Sequence, residues 1–293
     1  MKHLFTTVLF YLLFASIVWS QNTVSKNLQI TFEPNSASRF TVFNNNDKLT
    51  LAPDVAMRLL RSTKDVVGGD HDRYEQFYKG IKVVGPMAIV HSKNDQARSI
   101  TGYIENRLEN LTVKPEINEK AAIDISRFMM ADVLEKEDDM KLSGKISPKT
   151  EGINLCIVNE YYPETHGKMV LAYEVIQSIN VWNIPIKRTQ YIDAISGKPI
   201  NSINNIITHK SKGKGQSNFY GSVSFDHDSI GPNEFYMRDL SRGEGVFVQN
   251  LKTEKVYENT AADWKFEDSN DKAAVDVIFG AQKFYDLLKD RFN

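Results

Sequence analysis

The stretch from His71 to Ile104 constrains the fold of this chain more than any other part. Three runs rich in β-branched and aromatic residues are separated there by two short turns, in HDRYEQFYKGIKVVGPMAIVHSKNDQARSITGYI. We predict strands over Arg73–Tyr78, Ile81–His91 and Arg98–Ile104, with a tight turn at Lys79-Gly80. The stretch therefore predicts a three-stranded antiparallel meander.

A short helix is predicted just before this meander. Pro53 suits a first helical turn, and the apolar residues of Asp54–Ser62 recur at helical spacing. One helix beside an antiparallel sheet forms an α+β module.

A second region repeats the arrangement between residues 105 and 200. Asn118 is a candidate N-cap for a helix with one apolar face. Strands are predicted after it, at Asn154–Asn159, Lys168–Gln177 and Arg188–Ala194. The chain is therefore predicted to be α+β, with two helix-on-sheet modules in sequence.

The segments that flank these modules differ from them in composition. Residues 1–20 join a short basic end to an apolar run, which predicts a secretory signal peptide cut between Ser20 and Gln21. The run is shorter than a bilayer-spanning helix, and a retained membrane anchor is the alternative. Residues 21–48 are polar and predict a loosely held arm. Residues 201–217 are polar and basic and predict a solvated interdomain linker.

Four phrases in the sequence resemble those of one family, the thermolysin-like (bacillolysin-type) zinc metalloprotease precursors. RYEQFYKGIKVVG resembles the fungalysin/thermolysin propeptide pattern R-x-x-Q-x-x-x-G-I-P-V-x-G, with Lys82 at the position where that family usually has Pro. YIDAISGKPI resembles the end of PepSY-type modules. FYMRDLSRGEGVFVQNLK and DKAAVDVIFGAQKFYDLLKDRFN resemble the start of the catalytic domain and its next helix. The motif residues that carry the resemblance, and that we expect to be structural, are Arg73, Gln76, Gly80, Gly85, Asp193, Gly197, Asp239, Arg242 and Gly243.

The resemblance implies a more detailed fold. Residues 49–104 would form a propeptide-like domain and residues 105–200 a PepSY-like domain, both cystatin-like modules with a helix on an antiparallel sheet. Residues 218–293 would form the β-rich, truncated amino-terminal part of the catalytic domain. Thermolysin-like enzymes cut before bulky aliphatic residues, so the predicted processing site is at Asn205, Ile206 and Ile207, before one of the two isoleucines.

The catalytic centre expected of this family is not encoded in these residues. Its zinc motif is H-E-x-x-H on a helix, and none of the six histidines is followed by Glu or lies four positions from another. We therefore expect no catalytic residue, metal ligand or cofactor in this chain, with zinc and calcium bound only by the complete family enzyme. A distant pairing such as His71 with His91 is a less favoured alternative.

Five acidic residues offer a weak alternative site for calcium. Their spacing does not match an EF-hand loop, and solvated turn carboxylates are the favoured interpretation. These residues are Asp226, Asp228, Asp263, Glu267 and Asp268. The single cysteine, Cys156, lies among apolar residues and is predicted to be a buried, inert thiol.

We interpret the chain as the amino-terminal, pro-region portion of a secreted thermolysin-like zinc metalloendopeptidase precursor, inactive as it stands. The pro-region would assist folding and inhibit the catalytic domain, so the expected partner is its own catalytic domain or another thermolysin-like protease. A net charge of −1 indicates no nucleic-acid partner, and no membrane is expected after signal removal. The alternatives are a stand-alone secreted inhibitor or chaperone of PepSY type and, less favoured, a cell-surface binding module.

The last predicted helix favours the precursor over these alternatives. The apolar residues of Asp271–Phe292 cover about half of the helix circumference, wider than the ~100° stripe of an ordinary surface helix. We expect that the full-length product continues after Asn293 with an H-E-x-x-H motif. A stop codon directly after Asn293 would favour the inhibitor.

Overall fold

A computed structural model of the chain describes residues 26–44, 49, 51–135, 147–164, 166–243, 245–265 and 269–292. The predicted signal peptide, with Ser20 and Gln21, lies outside these residues. The chain divides into two compact units. The first extends to Pro115 and includes Leu155–Ala172, and the second comprises Glu116–Asn154 and the chain from Tyr173 onward. The domain bounds expected from the sequence differ from this division and stay a prediction.

The first unit is built on an antiparallel sheet in the order β2-β3-β4-β5-β1. The strands are β1 (Lys26–Thr31), β2 (Val55–Lys64), β3 (Asp70–Tyr78), β4 (Ile81–Lys93) and β5 (Gln96–Ile104). The predicted meander is confirmed as β3, β4 and β5. Its first turn has Lys79 at φ 47° and Gly80 at φ 82°, as the two-residue hairpin turn that matches strand twist requires.

The predicted helix over Asp54–Ser62 is wrong, because these residues form β2. Val55 donates its backbone N–H to the carbonyl of Ala52, and Asp54 has φ 63°, so Pro53 occupies a tight turn and not a first helical turn. The free edge of β3 then pairs with β2 from Val55 to Lys64. Hydrogen bonds to a neighbouring strand outweigh a weak helical pattern.

The predicted loose arm at residues 21–48 is also corrected. Strand β1 pairs with β5 along its whole length, from Lys26 opposite Ile104 to Thr31 opposite Ser99. Leu28 and Phe32 are buried in the core of the sheet, with Val42 further along. The apolar residues that hold this segment on the sheet are few and widely spaced. The composition of residues 21–48 is therefore polar, although the segment contributes to the core.

The second unit begins with the helix-on-sheet arrangement that the sequence predicts. Helix α1 (Glu119–Glu135) begins after Asn118, whose side-chain oxygen accepts the N–H of Ala121 at 2.9 Å, and the predicted N-cap is confirmed. The strands that follow are β6 (Lys149–Asn159), β7 (Met169–Val181), β8 (Ile184–Asp193) and β9 (Pro199–Asn204), and α1 contacts β8 and β9. Strands β6 and β7 each extend across the division between the units. The end of β6 pairs with β4 inside the first unit, where Cys156 is buried as predicted.

The rest of the second unit consists of short strands and one long helix. The strands are β10 (His209–Gln216), β11 (Ser222–Gly231), β12 (Glu234–Tyr236), β13 (Arg238–Asp239), β14 (Val246–Phe247), β15 (Gln249–Asn250), β16 (Lys255–Val256), β17 (Glu258–Asn259) and β18 (Asp263–Trp264). Five of them form a sheet in the order β17-β12-β11-β10-β18, and two small hairpins join β13 to β14 and β15 to β16. Helix α2 (Ser269–Phe292) contacts β10 and β11. Its buried residues Val275 and Ile278 pack with Phe225 and Trp264 in one core.

A flexible linker over residues 201–217 is wrong for most of its length. Residues up to Asn204 continue β9, and His209–Gln216 is β10, which leaves residues 205–208 as the connection. Strand β10 has no large apolar side chains because it runs close to its neighbours. A Cβ atom on Gly215 would lie 2.8 Å from Val275. The small residues of β10 therefore allow close packing on one side, whereas Lys210 and Lys212 keep much of their side chains in solvent.

No helix among the described residues is long and apolar enough to cross a membrane.

The buried His227 predicts a loss of stability in acid. Its side chain is fully buried, Trp264 donates to its Nδ1 at 3.1 Å, and burial lowers the pKa of His227 to about 4. The unfolded chain, with a histidine pKa of about 6.5, therefore binds more protons between pH 6.5 and 4. The contribution of neutral His227 to the free energy of unfolding should be fully present above pH 6.5. The free energy of unfolding should then fall by roughly 3 kcal/mol as the pH drops to 4.

Urea unfolding followed by tryptophan fluorescence, at pH 7 and pH 4.5, tests this expectation. His227→Gln keeps an acceptor for the indole N–H, so it should flatten the pH dependence while lowering stability at pH 7. The exposed His209→Gln is the matched control and should leave the dependence unchanged. Equal pH dependence in all three proteins would contradict the assignment.

Candidate functional site

Gln76, one of the motif residues in the propeptide-like stretch, completes the hydrogen bonding at the end of β5. Its side chain is fully buried. The side-chain oxygen accepts the backbone N–H of Glu105 at 2.8 Å, and the amide nitrogen donates to the Glu105 carbonyl at 2.7 Å. The side-chain amide of Gln76 thus satisfies both the N–H and the carbonyl of Glu105. A neighbouring strand would otherwise supply these two hydrogen bonds.

Gly85 of the same motif is required by a close approach. Its φ is 104°, and a Cβ atom there would lie 2.6 Å from the hydroxyl of Tyr103. Arg73 lies on β3, half-buried and directly opposite Ile89 of β4. Gln76 and Gly85 thus have structural roles, at a strand end and at a close approach between strands, whereas Arg73 lies in the middle of a strand.

The PepSY-like motif residues form a turn between β8 and β9. The carboxylate of Asp193 accepts the backbone N–H groups of Ile195 and Ser196 at 2.8 and 2.7 Å, and the N–H of Gly197 donates to the Asp193 carbonyl. The structure therefore places Asp193 and Gly197 in one tight turn, as the sequence predicts.

The third group of motif residues lies at a charged centre in the second unit. Arg242 makes a two-point contact with Asp286 of α2, at 2.8 and 2.9 Å, and also donates to Asp226 at 2.8 Å and to Asp239. Asp226 and Asp239 are each only 1% exposed. One guanidinium thus joins β11, β13 and α2, which a planar donor with five N–H groups can do.

Two lysines of the segment that was predicted to be a linker complete this centre. Lys212 and Lys210 of β10 donate to Asp226 at 2.6 and 3.1 Å. Burial raises the pKa of the Asp226 carboxyl, but hydrogen bonds from the two lysines and Arg242 outweigh it and hold that pKa well below its ordinary value. Both lysines remain about half or more exposed, as expected of a solvated segment, and they also pair with a carboxylate on a strand that only the folded sheet brings close.

The carboxylates proposed as an alternative calcium site are used differently. Asp226 is neutralised by cationic side chains, and Asp228 is buried against Arg238 at 2.9 Å. Asp263 is exposed beside Lys265, and the other two candidates lie outside the described residues. Solvated turn carboxylates are therefore the wrong interpretation for Asp226 and Asp228. Within the described ranges, no group of three or more His, Cys, Asp or Glu side chains could hold a metal ion.

The predicted processing residues occupy the short connection between β9 and β10. Asn205 is tied to β8 by its backbone N–H, which donates to the Lys187 carbonyl at 2.8 Å. Its side chain donates to Thr189 at 2.8 Å. Ile206 is half-buried at the edge of a cleft of about 430 Å³, whereas Ile207 is 70% exposed. The two isoleucines, equivalent in the sequence, therefore differ in accessibility.

The hairpin between β7 and β8 makes a contact that the sequence analysis missed. Trp182 and Asn183 form its two-residue turn, with φ of 50° and 67°. The Trp182 carbonyl accepts the N–H of Val256 at 3.2 Å, and Asn183 donates to the carboxylate of Glu258. The sequence does carry one signal for this hairpin. Asn183, a residue that favours two-residue turns, lies where the alternating apolar pattern is interrupted.

Apolar packing extends this contact. Ile184 at the start of β8 is buried with Tyr236 and Val256. Trp182 meets the Phe247 ring edge to face, at 6.3 Å between centroids. The hairpin tip thus contributes to a small core formed with β12, β14 and β16.

The charged centre predicts a large cost for removing Arg242. Arg242→Met leaves two buried carboxylates with fewer cationic partners, and it should lower the free energy of unfolding by about 3 kcal/mol or more. Arg242→Lys should recover only part of this, because an ammonium cannot make the two-point contact with Asp286. Urea unfolding at pH 7 measures both changes.

Arg127→Met is the matched control for the loss of an arginine. Arg127 is half-exposed on α1, with an ion pair of 3.3 Å to Asp124, and its loss should cost less than about 0.5 kcal/mol. A cost for Arg242→Met no larger than that of Arg127→Met would contradict a structural role for the centre.

Two family models match the chain. Residues 56–104 match the Fungalysin/Thermolysin Propeptide Motif, and residues 212–293 match the Thermolysin metallopeptidase, catalytic domain. The first match covers β2 to β5, including Gln76 and Gly85. The second covers most of β10, the charged centre except Lys210, and α2.

Curated proteins with similar sequences carry related names. The chain is 30% identical over 245 residues to "Neutral protease B" of Bacillus subtilis (strain 168). The aligned region covers 74% of this chain and 40% of that protein. It is 27% identical over 250 residues to "Thermolysin" of Alicyclobacillus acidocaldarius subsp. acidocaldarius, covering 80% and 44% respectively. It is 26% identical over 245 residues to "Bacillolysin" of Bacillus cereus, covering 75% and 42%.

The chain thus spans less than half the length of these relatives. The propeptide match precedes the catalytic-domain match in the sequence, as a pro-region precedes the domain that it accompanies. Together these findings identify the chain as the amino-terminal portion of a thermolysin-like metalloprotease precursor.

Proposed function

We propose that the residues up to Ile206 form a pro-region that assists folding of the catalytic domain and inhibits it until cleavage. The observation that carries this proposal is the contact of the β7–β8 hairpin tip, at Trp182 and Asn183, with strands inside the catalytic-domain match. A pro-region can stabilise a domain only if it binds the folded form, and this contact joins the two within one compact unit.

The contact explains how the pro-region would assist folding. Val256 and Tyr236 come from short strands that bury little apolar area by themselves, and Ile184 of the pro-region covers both. Binding energy at such a contact stabilises the folded form by mass action, and the stabilisation is lost when the pro-region dissociates. The fine structure that we propose is a propeptide domain built on the β2–β5 sheet, followed by a PepSY-like domain in which α1 lies on an antiparallel sheet.

Helix α2 supports further catalytic-domain chain as a partner. Its buried face holds Ala274, Val275 and Ile278, whereas Phe284 and Leu287 on another side are 62% and 50% exposed. Apolar surface of this kind on a helix marks a contact surface. In the complete enzyme, further chain would cover it and supply the zinc-binding residues, with zinc-activated water hydrolysing peptide bonds.

We place the protein outside the cell, exported by the signal peptide predicted at residues 1–20 and cut after Ser20. The secretory prediction agrees with the proposed role, because a protease of broad action is kept inactive until it has left the cytoplasm. Its partner is its own catalytic domain or a thermolysin-like protease, and no nucleic acid is involved.

The difference between Ile206 and Ile207 predicts the processed bond. An active thermolysin-like protease should cut between them, because Ile207 is exposed and Ile206 is half-buried against the cleft. N-terminal sequencing of the larger product should begin Ile207-Thr208-His209-Lys210.

Ile207→Gly should slow this cleavage at least about tenfold, since one bulky side chain is removed from the enzyme's binding pocket. Ile195→Gly, which removes an exposed isoleucine from the turn between β8 and β9, is the matched control and should not slow it. A first cut inside the β2–β5 sheet would rule out this junction as the processing site.

A second prediction concerns the cut chain. The two pieces should stay together in gel filtration without denaturant, because the hairpin contact remains. Trp182→Ala should weaken their association at least about tenfold, since a packed tryptophan carries much of the energy of such a contact. Phe128→Ala on α1, which removes an aromatic ring that is 78% exposed, is the control.

Two outcomes would contradict the folding role. One is spontaneous separation of the pieces in native buffer, and the other is a cooperative melt of the isolated piece from Ile207 onward.

A further inference from the structure

His71 and His91 face each other across the paired strands β3 and β4. The two residues are direct partners in the strand register, and their Nδ1 atoms lie 2.7 Å apart. The rings are nearly perpendicular, with centroids 5.0 Å apart. The pair lies at the end of the hairpin opposite to the Lys79-Gly80 turn, where no covalent connection joins the two strands.

The outer nitrogen of each ring is also held. Nε2 of His71 lies 3.1 Å from the carboxylate of Asp65, and Nε2 of His91 lies 2.9 Å from the hydroxyl of Thr101 on β5. Asp65 is fixed in turn by the backbone N–H groups of Val67 and Gly69, at 2.9 and 2.7 Å. The four side chains therefore form one hydrogen-bonded chain from the β2–β3 connection to β5.

The acceptor at one end determines where the protons lie. A carboxylate only accepts, so Nε2 of His71 carries a hydrogen, and Nδ1 of a neutral His71 is an acceptor. His91 then donates from Nδ1, and its Nε2 accepts from the Thr101 hydroxyl. Every group is satisfied with both rings neutral.

One added proton is also accommodated. If it binds Nδ1 of His71, that nitrogen becomes the donor, His91 changes tautomer, and its Nε2–H donates to Thr101. Asp65 then neutralises the imidazolium. A second proton has no such place, because two N–H groups would face each other across 2.7 Å between two like charges.

We propose that His71 and His91 hold at most one proton between them and form an acid-sensitive latch on the open end of the β3–β4 hairpin. A second proton breaks the contact and frees the β2–β3 connection that Asp65 ties to it. Because both histidines lie within the propeptide match, acid would loosen the pro-region, a consequence that rests on the proposed function.

The surroundings of the pair agree with the latch. Burial, followed by the charges of His71 and Arg73, lowers the pKa of His91. The charged groups around the rings are Asp65 from the connection and Arg73 from β3, while β5 contributes the neutral Thr101. Asp70, next to His71 in the chain, pairs with Arg39 at 3.1 Å and with Lys64 at 3.8 Å, and Arg39 also lies 3.7 Å from Asp72.

Nitrogen-15 spectra of the histidine rings in the whole chain, recorded from pH 8 to pH 4, test the latch directly. The pair should take up its two protons at least about two pH units apart, a hundredfold difference in affinity, and the exposed ring of His166 serves as the reference signal. Titration of both rings together near pH 6.5 would overturn the proposal. A change in their spectra when a chelator is added would also overturn it, because a metal ion would then bridge the rings.

A double-mutant cycle distinguishes the latch from an ordinary contact. His71→Asn, His91→Asn and the double variant are unfolded with urea at pH 7.5 and pH 5.0. The coupling between the two sites should be stabilising at pH 7.5 and at least halved at pH 5.0. His166→Asn is the control and should be additive with either change at both values.

Coupling of the same size at both pH values would mean a merely structural contact and would overturn the proposal. If the double variant does not fold, the ring titration of the unaltered chain still decides the outcome. Both measurements report the first unit alone, so they can fail or succeed whether or not the pro-region inhibits a protease.

Discussion

The charged centre around Arg242 is the interaction on which the carboxy-terminal part of this structure depends. Its guanidinium joins two buried carboxylates, Asp226 and Asp239, to Asp286 on α2. Short strands such as β13 bury too little apolar area to hold their positions by themselves. A planar group with five donors does so because its geometry allows only one arrangement of the three acceptors.

The same centre connects this region to the chain that precedes it. Lys210 and Lys212 approach Asp226 from β10, which begins shortly after the proposed processed bond. Cleavage between Ile206 and Ile207 would therefore leave both ion pairs within the carboxy-terminal piece. The hairpin contact of Trp182 would then be what remains between the pro-region and that piece in the second unit.

The two parts of the proposed pro-region would thus have different tasks. The β7–β8 hairpin contacts the catalytic-domain match through apolar packing, one backbone hydrogen bond and one hydrogen bond to the carboxylate of Glu258. The propeptide match carries the His71–His91 pair, whose Nδ1 atoms lie 2.7 Å apart and which we propose to separate on uptake of a second proton. A pro-region built in this way could hold its partner firmly at neutral pH and still respond to acidification of its surroundings.

Local patterns in the sequence determined the meander, the N-cap at Asn118 and the turns at Lys79-Gly80 and Asp193–Gly197. Each of these depends on residues close together in the chain, where the backbone preferences of Gly, Asn and Asp act directly. The family resemblance likewise depended on short local phrases. The described structure agrees with all of these local features, and the family matches agree with the propeptide and catalytic-domain phrases.

Tertiary structure alone decided the features that depend on distant partners. Asp54–Ser62 became a strand because β3 offered it an open edge, and β10 became a strand because its glycines fit beneath α2. Lys212, in the segment predicted to be a linker, forms an ion pair with Asp226 only because β10 pairs with β11. His91 lies opposite His71 only because of the register between β3 and β4. A pattern within one segment carries no information about which other segment will pair with it, and hydrogen bonds between strands outweigh weak local preferences.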